Sequence, residues 1–169
     1  MREVLFKAKG KNGEGWQEGY YLKTNETSYC VQSEYDNHPD NTKHYLLYVQ
    51  MSDWGLPNRK LSLGINPKTI CQYTGLKDKN GKKIFENDIV RCDKRGAAFY
   101  RGCVSWNDIN ARYDVIAMNC PFPITLDEGN DSISIRGEDY EVIGNTYDRA
   151  ELKFNGGGKN DKTGSNKNP

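Results

Sequence analysis

Long apolar runs are missing from this chain: the longest, Tyr45 to Val49, falls far short of the roughly 20 residues that a membrane-spanning helix needs. The opening, Met1-Arg2-Glu3-Val4-Leu5-Phe6-Lys7, sets charges on both sides of three apolar residues, so it offers no export signal core of about 7–15 residues. A soluble cytoplasmic protein, without membrane association, is the expectation. The 5 cysteines are odd in number and never form a Cys-x-x-Cys pair, which argues against a disulfide framework and against a zinc knuckle. They read as small reduced hydrophobes. Net charge is also lacking, at +1, and the isoelectric point near 7.6 lies below the roughly 9 of a dedicated nucleic-acid domain. Alanine and other helix formers are scarce.

What the chain does have is 17 Gly, 11 Tyr and many Asn, a composition of turns and half-buried strands. The pattern predicts mainly β structure in short antiparallel strands. Val4 to Ala8 and Trp16 to Leu22 flank a glycine-rich turn and read as a first hairpin. Thr27 to Gln32 reads as a short strand, 33–43 as a polar loop, and Tyr45 to Met51 as a buried strand before the Trp54-Gly55-Leu56-Pro57 turn. Thr69 to Tyr73 and Ile84-Phe85 flank Asn80-Gly81, a pair that suits a type I′ hairpin turn because both central residues then need positive φ. Ile89 to Asp93, Gly102 to Trp106, Tyr113 to Met118, Ile133 to Arg136 and Tyr140 to Tyr147 supply further strands. This many short strands predicts a small barrel or sandwich. Three regions follow: a β-rich segment over 1–65, a barrel over 66–154, and a polar tail over 155–169 with too little apolar surface to order itself.

Catalytic chemistry is hard to assemble. Only His38 and His44 are bases suited to neutral pH, and both fall in the 33–43 loop region or at its end. Asp36, His38, Asp40 and His44 match no metal-ligand spacing, and no local signature supports a Cys–His hydrolase. The glycines of 10–15 lead into a strand rather than a helix, so they make no phosphate cradle. No catalytic residue, metal or cofactor is assigned, and a non-enzymatic role is expected.

Charge is unevenly spread. Residues 77–101 carry 8 basic and 4 acidic groups, while 102–151 carry 3 and 10. In the plain reading, exposed strand charges neutralise one another on folding. In the other, Lys77, Lys79, Lys82, Lys83, Arg91, Lys94, Arg95 and Arg101 form a basic ridge that meets phosphates or an acidic protein, with Tyr100 and Trp106 stacking on bases in the nucleic-acid case.

The run from Gln72 to Val90, Gln-Tyr-Thr-Gly-Leu-Lys-Asp-Lys-Asn-Gly-Lys-Lys-Ile-Phe-Glu-Asn-Asp-Ile-Val, closely resembles the signature of the YopX family, small proteins encoded mainly by bacteriophages and prophages. The opening 1–7, the strand Gly102 to Trp106 and the ending Tyr140 to Asp148 fit the same family in order, so the resemblance spans 1 to about 152. It implies a largely β protein whose C-terminal part is an SH3-like barrel, and it carries over no catalytic residue. Where the family usually has Gly, this chain has Asn87, the non-Gly residue that best tolerates a left-handed backbone. The signature reads first as two tight turns and the apolar residues that close the barrel. A second reading makes Gln72, Tyr73, Thr74 and Lys77 a recognition edge beside the Asn-Gly turn. The expected function is a phage or prophage accessory protein that binds a host or phage protein; the alternative is nucleic-acid binding through 77–101.

Overall fold

The computed structural model describes residues 3–25, 31–37, 42–92, 101–117, 124–126 and 139–148. Among these residues eleven strands run β1 (Phe6–Lys9), β2 (Trp16–Asn25), β3 (Thr42–Gln50), β4 (Arg59–Gly64), β5 (Cys71–Lys77), β6 (Lys83–Phe85), β7 (Asp88–Cys92), β8 (Arg101–Asn107), β9 (Arg112–Ala117), β10 (Ile124–Thr125) and β11 (Tyr140–Asn145). A short helix, α1 (Gln32–Asp36), and a 3-10 turn at Pro67–Thr69 complete the described elements. The strands make two antiparallel sheets, ordered β4-β3-β2-β1-β5-β6 and β10-β9-β8-β7-β11. Antiparallel β structure is what the turn residues and aromatics predicted.

The first sheet shows why side-chain alternation governs this chain. Phe6 and Ala8 of β1 point to one face, where Leu46, Ile65, Tyr21, Leu63 and Ile70 join them. Leu5 and Lys7 point to the other, where Leu5 packs with Cys71, Tyr73 and Phe85. This sheet draws strands from both sides of residue 65, because β1 pairs with β5 at Phe6↔Gln72 and Lys7↔Cys71. Gly19 is required here: a Cβ on it would lie 2.5 Å from the Leu47 carbonyl oxygen, so only glycine lets β2 approach β3 this closely.

The second sheet holds the larger core, with Ile84, Val90, Cys92, Val104, Tyr113, Val115, Leu126, Tyr140 and Val142 among its members. Its strands β7 to β10 form a meander, and β11 returns beside β7 with a register shift between Val142 and Gly144. The barrel expected here is not closed among the described residues. The two-residue β10 and the terminal β11 remain separate edges, and so short an edge strand offers little ladder for closure.

Three local expectations need correction. Gln32 opens a helix rather than closing a strand, Val31 before it is a bend, and the expected loop contains α1; 27–30 and 38–41 lie outside the described residues, as do Ile133 to Arg136 and the tail. The Asn80-Gly81 turn is not type I′, since only Gly81 has positive φ (77°). The Asp78 carboxylate accepts from the N–H groups of Asn80 (2.8 Å) and Lys82 (2.9 Å), and the Gly81 N–H bonds back to the Asp78 carbonyl. That aspartate-stapled turn leaves Gly81 alone in the left-handed region. Finally, β4 was missed because its Arg-Lys-Leu-Ser-Leu-Gly sequence is weakly alternating and polar. By contrast, Asn87 adopts φ 61°, the left-handed conformation expected of it.

Candidate functional site

Where the two sheets meet, a lysine and an aspartate distant in sequence come together. Lys7, in mid β1, places its ammonium 2.5 Å from Oδ1 of Asp88, the first residue of β7. Asp88 is fully buried and also accepts from the Phe85 N–H (2.9 Å) and from Asn145 Nδ2 (3.0 Å). The tight turn 85–88 puts it there, closed by the left-handed Asn87. The Lys7 ammonium further sits 4.7 Å from the Phe85 ring centre and 5.1 Å from that of Trp16. A charge so neutralised and covered is a structural clasp.

Two further carboxylates reinforce the junction. Asp78 reaches from the hairpin turn to accept from the Val142 N–H of β11 at 3.0 Å. Its burial opposes ionisation, but the N–H donors of Val142, Lys82 and Asn80 outweigh that and hold its carboxyl below the ordinary 3.8. Asp148 accepts from Trp16 Nε1 (2.7 Å) and Lys9 Nζ (2.6 Å). Partial burial opposes its ionisation too, and the bonds from Lys9 and Trp16 prevail, so it also lies low. Beneath them Cys71 is buried, and desolvation pushes its thiol up to about 11, leaving it protonated at neutral pH. A cleft of about 240 Å³ opens over this junction, with Trp16, Glu18, Lys82 and Phe85 in its walls.

Beside the cleft, the same face of the first sheet continues without cover among the described residues. Registers Tyr20↔Leu47 and Leu22↔Tyr45 set these four side chains in two adjacent rows, and Val49 extends the second. Tyr20 (58 % exposed), Leu22, Leu47 and Val49 (60 %) are all exposed, and the following hairpin tip adds Met51, Leu56 and a wholly exposed Trp54.

The residues singled out from sequence are scattered. Tyr73 is buried against Phe85, with ring centres 5.5 Å apart. Thr74 is buried too, its hydroxyl donating to the Ile84 carbonyl at 2.8 Å and accepting from the Leu76 N–H. Both face inward, so an exposed edge retains only the half-buried Gln72 and the exposed Lys77. Lys82 is exposed on the cleft wall, whereas Lys83 bridges to Glu18 at 3.3 Å. Trp106 packs edge-on against Tyr113, 5.0 Å between centres. Lys94, Arg95 and Tyr100 lie outside the described residues. Within the basic stretch, Lys79 (2.8 Å) and Arg91 (2.7 Å) both pair with Glu141, the cross-strand neutralisation of the plain reading. His44 accepts or donates one bond with the Tyr21 hydroxyl at 2.7 Å, while His38 and Asp40 lie outside the described residues. No cluster of three or more potential metal ligands occurs among the described residues. No described helix is long and apolar enough to cross a membrane.

Sequence reasoning missed Lys7 and Asn145 altogether and treated Asp78 and Asp88 as turn residues only. An aspartate at each end of the signature's paired turns was the available signal.

These features define an antiparallel β protein of two sheets joined by a buried lysine–aspartate clasp, with its signature strands at the joint. The chain belongs to the YopX family, whose model, described as YopX protein, matches residues 5–152. Among solved structures it is similar to the crystal structure of protein EF1440 from Enterococcus faecalis, at 23% identity and a TM-score of 0.46, covering 90% of this chain and 99% of that one. None of the curated proteins matches it.

Proposed function

We propose that this chain is a non-enzymatic phage or prophage accessory protein that acts by binding a host or phage protein in the bacterial cytoplasm. The observation that supports it is the open face of β2 and β3, where Tyr20, Leu22, Leu47 and Val49 stand exposed beside a hairpin tip bearing Trp54. Contiguous exposed apolar surface with polar surroundings is the mark of a protein interface. The nucleic-acid alternative is less favoured, because Lys79, Lys83 and Arg91 spend their charge on neighbouring carboxylates. The test is recovery of stoichiometric partners on the tagged full chain from bacterial lysate, with and without nuclease. A nuclease-resistant protein partner supports the reading. Recovery that needs intact nucleic acid, or no stoichiometric partner at all, overturns it.

A further inference from the structure

Resting on that reading, we infer that the open face of β2 and β3 receives an amphipathic α-helix of a partner protein, with acidic residues beside its apolar stripe. The first argument is backbone satisfaction. In the order β4-β3-β2-β1, both β2 and β3 are interior strands whose main chains are already paired on each side. Their face therefore offers side chains but no backbone donors or acceptors to a newcomer. An occupant must bring its own backbone bonds, which a helix does and an extended peptide does not.

Shape agrees. Tyr20 and Leu22 form one row and Tyr45, Leu47 and Val49 the next, about 4.8 Å away and roughly 13 Å long. Beyond them β4 presents only Ser62 and Gly64 opposite Leu47 and Tyr45, a low wall on that side. Two apolar rows flanked by small residues match the stripe of a helix with apolar residues at i, i+3, i+4 and i+7.

Charge selects the partner's sign. Lys43 and Lys60 share this face, opposite Thr24 and Val49, and the Lys11 side chain lies over Gly64 at its end. All three are exposed and none has an ion pair among the described residues, whereas the face's Glu18 is held by Lys83. Three unneutralised lysines around an aliphatic strip favour an acidic helix and disfavour a second copy of the same face. Single-stranded nucleic acid would share the preference for lysine and could stack on Tyr20, but the aliphatic middle of the strip, Leu22, Leu47 and Val49, gives successive bases no ring to stack on.

The test is NMR titration of the isotope-labelled full chain with three probes. These are an acetylated, amidated Leu/Glu amphipathic helical peptide, its Leu/Lys counterpart, and an oligo-deoxythymidine; anionic phosphatidylglycerol vesicles form a fourth arm read by co-sedimentation. Saturable shifts from the Leu/Glu peptide at Leu22, Leu47 and Val49 are expected. A Lys43→Glu/Lys60→Glu variant should weaken that binding by roughly tenfold, as two weak exposed attractions become repulsions. A Leu47→Asp/Val49→Asp variant with unchanged melting should abolish it. Absence of shifts at millimolar peptide, equal binding of the Leu/Lys peptide, shifts centred elsewhere, or stronger binding to the oligonucleotide or vesicles overturns the inference. The lysate experiment separates the two claims: a protein partner still recovered by Leu47→Asp/Val49→Asp leaves the binding function standing and removes this site.

Discussion

The first sheet is two regions with one alternation pattern. Over β1, β5 and the first residue of β2, its junction face is covered: Lys7 is matched by a buried carboxylate, Tyr73 by Phe85, and Trp16 by Asp148. Over β2 and β3, the same face carries Tyr20, Leu22, Leu47 and Val49 in the open, and its lysines lack ion pairs among the described residues. The sequence alone does not separate them, since in each region every second side chain is sent to this face. What differs is the layer above. Apolar side chains under a second sheet contribute stability, while the same side chains left uncovered are available to a partner.

The sharpest way to break the comparison is to remove the clasp. Asp88→Ala strands the Lys7 ammonium and frees two donors, so it should cost about 3–5 kcal/mol of stability, read by urea denaturation. A loss under 1 kcal/mol would mean that the junction does not hold the sheets. Next in size is Gly19→Ala, whose added Cβ meets the Leu47 backbone; about 1–3 kcal/mol should be lost as β2 and β3 shift apart. That variant tests whether the open region also depends on close strand approach.

Acid should act on the junction in particular. Asp78 and Asp148 both have folded values below the ordinary 3.8, so their contribution is complete above that pH and is lost as the pH falls through the lowered values. Denaturation midpoints between pH 5 and 2 should therefore drop, and an Asp78→Asn variant should show a shallower drop. An unchanged slope would show that these bonds are no stronger folded than unfolded. Smallest of all, Trp54→Ala and Val49→Ala should change stability by less than about 0.5 kcal/mol, because neither residue packs against a core. A larger loss in either would place a cover over the open face.

Much of the joint was legible in the primary structure as turns. Asn87 in the left-handed region and the hairpin at Gly81 followed from residue type, though the turn class did not, because a neighbouring aspartate's side chain redirected the backbone. The Gln72 to Val90 run was readable as a family signature, but which of its residues mattered was not. Tyr73 and Thr74 looked like surface groups beside a turn, and pairing with β1 and β6 turned them inward. Lys7 looked like an ordinary charge in an opening strand.

The sequence by itself determined the secondary structure class, the strand-breaking turns and the family, because these rest on local backbone preference and on spacing along the chain. Only the tertiary structure decided that Lys7 meets Asp88 across 81 positions, and that one half of a sheet face is covered while the other is open. Alternation gives every strand two faces, but what lies over each face is set by which distant strands pack there.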